Sequence, residues 1–235
     1  MSKFDGKVLV FGGTGGVGSH VVKYLLQENL PVRVFLRDAA KGSELEKQGV
    51  ELFIGDLKTS SNTQLIKAME GVKAVFSAIG TRKPFSFTEG LNQVDRNGNI
   101  KIIEAAKKAG VDRFILCSTM GVYKNRNPLK PFSLLFYPKW EAEKYLVASG
   151  LNYTIIRPGG LVDDEQTLGA PRDPVMARGQ LDGEGGFNGN LGRVHRADVA
   201  KAMVQSLSQP KMHRAIYEIL NRTAVKPANQ SSIEN

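Results

Sequence analysis

Val8-Leu9-Val10-Phe11-Gly12-Gly13-Thr14-Gly15-Gly16-Val17-Gly18 is the stretch whose reading decides the fold. Four consecutive apolar residues precede five glycines in seven positions, and the apolar residues that follow (Val17, Val21, Val22, Leu25, Leu26) recur on one helical face. Strand, tight turn and helix therefore succeed one another here. Glycines at this spacing permit the turn, let backbone N–H groups approach a pyrophosphate and let the helix pack closely on the strand. The helix N-terminus adds partial positive charge. Gly13-x-Gly15-x-x-Gly18 matches the dinucleotide fingerprint in the strand-to-helix context that the fingerprint requires. The expected cofactor contacts are Gly12, Thr14, Gly15, Gly16, Val17 and Gly18, and the competing reading is a glycine-rich turn with no ligand.

The rest of the composition narrows the possibilities. A chain of 235 residues with 41% hydrophobic content can bury one sizeable core, and its 23% of charged residues are dispersed rather than blocked. No apolar run approaches the roughly 18 residues of a membrane span, and Met1 to Asp5 lacks the apolar core of a signal peptide. A cytoplasmic protein is expected, or a stromal one if the chain is the mature form of a plastid protein. The single cysteine, Cys117, excludes an internal disulfide, and its apolar neighbours make it a buried strand residue. The three histidines have no metal-ligand spacing, and no metal is expected. A net charge of +9 favours an anionic partner. With no dense basic tract and no nucleic-acid-binding motif, a phosphorylated cofactor or an acidic or aromatic small molecule is expected rather than nucleic acid.

Beyond the first helix, Val32 to Leu36 reads as a second strand ending at Arg37-Asp38. That end faces the adenosine ribose in dinucleotide folds, where an arginine accommodates a 2′-phosphate and an acidic residue binds a free 2′-hydroxyl. Arg37 comes first, so NADP is expected in preference to NAD. The alternative is that Arg37 is a solvated surface charge. Glu51 to Leu57 forms a third strand and turn that brings Asp56 and Leu57 to the ligand edge. Asp56 either accepts from the adenine amino group or caps the next helix near Ser60-Ser61-Asn62. Val72 to Ala78 is the fourth strand, and the backbone at Ala78, Ile79 and Gly80 is expected beside the cofactor. A polar loop from Arg82 to Glu89 leads into a long helix closed by Gly110.

Arg113 to Cys117 is the fifth strand, ending in Ser118 and Thr119, whose hydroxyls either orient a substrate carbonyl or bond local backbone. A long connection from Met120 to Pro138 carries aromatics and cations, and a helix starts at Lys139. Tyr153 to Arg157 is the sixth strand. Pro158 to Arg193, with nine glycines, three prolines and little apolar periodicity, reads as a loop or small hairpins over the sheet edge. Arg196 opens a helix, Ala215 to Leu220 is a last strand, and residues 221–235 form a polar tail whose Asn221-Arg222-Thr223 matches a glycosylation sequon. Alternating strands and helices argue an α/β, doubly wound parallel sheet in one domain spanning 1–235, with 158–196 as a lid or substrate-covering segment.

Taken together, these blocks resemble the short-chain dehydrogenase/reductase superfamily in its atypical, NmrA-like NAD(P)-binding branch. The resemblance rests on Gly12 to Gly18, Leu36-Arg37-Asp38, Gly55-Asp56-Leu57, Val94-Asp95-Arg96-Asn97-Gly98-Asn99, Ser118-Thr119-Met120-Gly121, Lys139-x-x-x-Glu143, Tyr153 to Gly160 and Arg196-Ala197-Asp198-Val199-Ala200. Plant and cyanobacterial proteins of the branch are most similar around the last three blocks. The resemblance implies a Rossmann fold, an NADP cofactor contacted also by Lys139 and Pro158, and catalytic positions at Ser118, Thr119 and Lys139. Catalytic members of the superfamily pair a tyrosine with a lysine four residues later on one helix, the tyrosine acting as acid and the lysine holding the nicotinamide ribose. Four residues before Lys139 stands Leu135, and Asp95 stands where an asparagine amide is usual. Two functions follow as expectations. One is a reductase passing hydride from NADPH to a conjugated acceptor such as a flavin or quinone, which needs little acid catalysis. The other is an NADP(H) sensor that binds a protein partner without turnover. Lys139 and Glu143 also fit an ordinary i, i+4 helix pair.

Overall fold

The computed structural model describes residues 4–81, 92–122, 133–182, 187 and 192–224. β1 (Lys7–Phe11), β2 (Val32–Leu36), β3 (Glu51–Ile54), β4 (Val72–Ser77), β5 (Arg113–Cys117) and β6 (Tyr153–Pro158) are joined in the order β3-β2-β1-β4-β5-β6, all parallel. The register is tight at the centre, with Val10 opposite Val34 on one side and Phe76 on the other. The chain leaves β1 to form β2 on one flank and later returns to lay β4 on the other. A crevice opens at this reversal, beyond the carboxyl ends of the strands.

The helices cover both faces, as buried parallel strands require. α1 (Gly16–Gln27) lies on one face, α2 (Ser43–Lys47) is a short turn beside β3, and α3 (Asn62–Ala68), α4 (Asn99–Lys108) and α5 (Ser133–Ala148) lie on the other face. The alternation within β1 shows the two cores directly. Val8 and Val10 pack with Val21 and Leu25 of α1, whereas Leu9 and Phe11 pack with Leu65 of α3, Ile102 of α4 and Leu146 of α5. All of these side chains are fully buried.

Two elements depart from the sequence expectation. The α5 helix does not begin at Lys139 but runs from Ser133 through Pro138. An internal proline removes one helix hydrogen bond, and the helix runs through it with Pro138 buried. The segment after β6 is also more ordered than a loop or hairpins. β7 (Gly160–Val162) pairs in parallel with β9 (Arg193–His195), α6 (Glu165–Leu168) follows β7, and β8 (Pro174–Gly179) joins the main sheet. α7 (Arg196–Gln205) packs beside α1, and β10 (Ala215–Asn221) extends the sheet parallel to β6 and antiparallel to β8. Val175 and Ala177 of β8 bury against Met120, Phe187 and Leu220. The tail begins with a short turn at Arg222–Ala224. The predicted polar loop at 82–89 and most of the basic connection lie outside the described residues.

Candidate functional site

The site begins with the turn after β1. Gly12 has φ +83°, and a side chain there would meet the Ala78 carbonyl at 2.6 Å. A side chain on Gly18 would meet the Gly12 carbonyl oxygen at 2.0 Å, so α1 sits directly on the turn. Gly15 is the N-cap of α1, no side chain caps the helix, and its first turn contains no acidic residue. The α3 helix shows the contrast. Ser61 Oγ accepts from Gln64 N–H at 3.2 Å while the Gln64 side chain accepts from Ser61 N–H at 3.0 Å. The N-terminus of α1 thus keeps its leading N–H groups for an external anion, in a cradle that added Cβ atoms would fill.

A cleft of about 1010 Å³ opens from this turn. Among the predicted contacts, Gly12, Thr14, Gly15, Arg37, Asp56, Leu57, Ala78, Ile79 and Gly80 line it. Arg37 follows β2 and is exposed, with Lys41 and Lys58 on the same lining. The latter two cations were not singled out in the sequence, where each reads as one more surface lysine. Asp38 lines the cleft as well, and its Oδ1 accepts from Ala40 N–H at 3.0 Å. Asp56 does not cap α3, a task that falls to Ser61. Its Oδ1 accepts from Lys58 N–H at 3.0 Å, within the turn that follows β3. Gly16 and Val17 form the first turn of α1, where the Arg196 side chain crosses Gly16. Pro158 does not line the described cleft. It ends β6, and its carbonyl accepts from Met120 N–H at 2.9 Å.

The far end of the cleft is built from side chains. A π-helical turn at Asn92–Gly98 runs directly into α4 and delivers Asp95, which is 1% exposed. One Asp95 carboxylate oxygen accepts from Thr81 N–H at 3.1 Å, and the other lies 2.6 Å from Lys139 Nζ. Asn99 Nδ2 donates to the Asp95 carbonyl at 2.8 Å, and Ser77 Oγ donates to Asn99 Oδ1 at 2.6 Å. Lys139 thus pairs with Asp95, not with Glu143 of its own helix. Glu143 is fully buried against Arg157 of β6, which donates to it from Nε at 3.0 Å and from Nη2 at 2.6 Å. Burial alone would lower the Lys139 pKa, but the charge and hydrogen bond of Asp95, helped by Cys117 and Glu143, outweigh it and raise it above the ordinary lysine value. Burial pushes the Cys117 thiol up to about 11, so it stays protonated.

Ser118 and Thr119 leave β5 next to Cys117. Ser118 N–H donates to the Ile156 carbonyl at 2.8 Å, and its buried Oγ has no hydrogen-bond partner among the described residues. Neither hydroxyl is hydrogen-bonded to Lys139 among those residues. Tyr137 is half-buried, with its ring 5.6 Å from that of Trp140. No described helix is long and apolar enough to cross a membrane.

Comparison with known proteins agrees with this geometry. The NAD(P)H-binding family model matches residues 12–210. A chloroplastic protein of Arabidopsis thaliana, uncharacterized, is 32% identical over 228 residues, covering 92% of this chain and 77% of that protein. Sanguinarine reductase of Eschscholzia californica is 32% identical over 252 positions, covering 90% of this chain and 88% of that enzyme. Among solved structures, ChuY, an anaerobilin reductase from Escherichia coli O157:H7, superposes with a TM-score of 0.72 at 26% identity and covers 94% of this chain and 99% of its own. Glycine turn, uncapped helix, strand order and family match converge, and the chain belongs to the NAD(P)H-binding family with the Rossmann-type fold of atypical short-chain dehydrogenases/reductases.

Proposed function

We propose that the protein is an NADPH-dependent reductase of the NmrA-like branch that reduces a small conjugated acceptor, such as a flavin or a quinone, without a helix-borne tyrosine acid. The observation that carries this reading is one continuous cleft, with Arg37, Lys41 and Lys58 at the end beyond β2 and Gly80 and Thr81, beside the Lys139–Asp95 pair, at the other. The residues fit the cofactor. The N–H groups at Gly16 and Val17 hold the pyrophosphate, and Arg37 grips the 2′-phosphate with its two-pronged guanidinium. Asp56 and Leu57 border the adenine, Ala78 to Gly80 carry the backbone past the nucleotide, and Lys139 donates to the nicotinamide ribose. NADPH bound there supplies a hydride.

The chain's own part is positioning. Thr119, with Ser118 behind it, orients an oxygen of the acceptor, and segment 158–196 covers the acceptor and limits water. Because Leu135 stands one helical turn before Lys139 on the continuous α5 helix, that helix carries no tyrosine at the position from which the superfamily's acid protonates an alkoxide. A conjugated acceptor delocalises the charge that arrives with the hydride and takes its proton from water, so geometry provides most of the rate. Two of the relatives reported above are named reductases, which favours turnover over sensing. The chloroplastic relative fits a stromal location as well as a cytoplasmic one.

Stopped-flow mixing of NADPH-loaded protein with a panel of flavins, quinones and simple carbonyls, followed at the nicotinamide absorbance, tests the proposal. Oxidation that depends on a flavin or quinone is the expected result. Tight NADPH binding with no oxidation by any acceptor would overturn it in favour of a nucleotide sensor acting through a protein partner.

A further inference from the structure

Lys139 stands on α5, yet what fixes its ammonium lies 44 positions earlier in the chain. The side chain of Lys139 is 18% exposed and that of Asp95 1%, and the pair lies just behind Gly80 and Thr81 of the cleft lining, with its acidic half inside the protein. A side chain beginning at Gly80 would stand 3.6 Å from Asp95 Oδ1 and 4.0 Å from Lys139 Nζ, so the absent Cβ opens the path from the cleft to the pair. The carboxylate has no freedom to turn. Its second oxygen is held by Thr81 N–H, and its backbone is held through Asn99 to Ser77 of β4.

We infer that Asp95 is the positioning residue of the reacting end: it anchors one N–H of the Lys139 ammonium and leaves the other two to donate to hydroxyl groups of a bound ligand. This rests on the reading of the cleft as an NADPH site, where those hydroxyls belong to the nicotinamide ribose. Asp95 thereby does for Lys139 what a neighbouring helical side chain could not do, because Glu143, the next acidic residue along α5, is spent on Arg157. Among the described residues the other ionisable groups acting on Lys139 are Cys117 on β5, whose thiol stays protonated, and, more weakly, Glu143 of α5. A buried ammonium robbed of its carboxylate partner is disfavoured by desolvation, so removal of Asp95 should make Lys139 lose its charge at lower pH than in the wild type.

Two measurements test the inference separately from the reductase reading. In the first, the Nζ resonance of Lys139 is followed with pH by ¹⁵N-lysine NMR on protein without cofactor, assigned through Lys139→Arg. The expected result is a charged Lys139 that outlasts the bulk lysines, which titrate at about 10.4, and an earlier loss of charge in Asp95→Asn. A wild-type Lys139 that titrates below the bulk lysines would overturn the inference, whatever the protein binds. In the second, NADPH affinity is measured from pH 7.5 to 9.5. Wild type should be flat, and Asp95→Asn should lose roughly tenfold or more across that range, the size expected for a lost charged hydrogen bond. Asp95→Glu should restore much of the flat profile. Equal weakening of Asp95→Asn at every pH would reduce Asp95 to a structural part and overturn the inference. If Asp95→Asn does not fold, Asp95→Glu and the wild-type resonance carry the test.

Discussion

The two ends of the cleft are made of different materials. The nucleotide end is mostly backbone: a glycine turn with φ +83° at Gly12, an uncapped helix start, and cations standing in solvent around it. The reacting end is a buried network of side chains, Ser77 to Asn99 to Asp95 to Lys139, with the Arg157–Glu143 pair behind it. A backbone site tolerates change in everything except its glycines. A side-chain network fails when any buried member loses its partner, because the remaining charge or dipole has already left water.

The strongest way to break this contrast lies behind the reacting end. Arg157→Met leaves Glu143 buried and unpaired, and urea denaturation should show a loss of about 3–5 kcal/mol. Replacing both residues with apolar ones should recover most of it, and a single variant that loses less than about 1 kcal/mol would remove the network from the account. The corresponding change at the nucleotide end is Gly18→Ala. Its Cβ would lie 2.0 Å from a carbonyl oxygen, so α1 must move off the turn. We expect a cost at the upper end of about 1–3 kcal/mol together with loss of NADPH binding. Retained affinity would show that the turn is not the cradle.

A smaller effect separates neither end but reports on burial away from the cleft. Burial, with Arg113 nearby, lowers the His213 pKa below 6.5, and burial, with His195 and Lys23 nearby and Asp163 opposing, does the same for His20. Above the unfolded value neither state takes up these protons. As pH falls through it, the unfolded chain binds protons that the folded one refuses, so stability should drop below about pH 6.5 and level off once the folded histidines are charged. Melting temperatures between pH 7.5 and 5 check the direction, and His213→Gln should shallow the decline. The smallest effect is expected from Tyr137→Phe, because that ring sits against Trp140 while Lys139 is engaged by Asp95. Single-turnover reduction of a quinone should stay within about tenfold of wild type. A fall of about 10³-fold with NADPH affinity intact would restore a tyrosine acid to the mechanism.

The same contrast explains what the sequence disclosed. The glycine turn, the β1 to β6 strands and the place of Arg37 on the cleft lining were legible because each depends on residues within about one turn or one strand of one another. The Asp95–Lys139 pair was not, since a 44-residue separation leaves no periodic trace, and the local rule instead suggested Glu143 as the partner. β8 was missed for a different reason. Its inward positions are Val175, Ala177 and Gly179, too small to give an alternating hydrophobic signal, and they lie in a glycine- and proline-rich stretch. Pro138 misplaced the start of α5 because proline chemistry favours a helix end, whereas the helix accommodates one lost hydrogen bond at Pro138 and runs back to Ser133.

The account stands on the cleft holding NADPH, and equilibrium titration of NADPH and NADH into the wild-type protein and Arg37→Ala tests that most directly. A guanidinium contact to the 2′-phosphate worth roughly 1.5–3 kcal/mol predicts an NADPH preference of about 10- to 150-fold in wild type, collapsing toward unity in the variant. Equal affinities for the two nucleotides in wild type, or no binding of either, would contradict it.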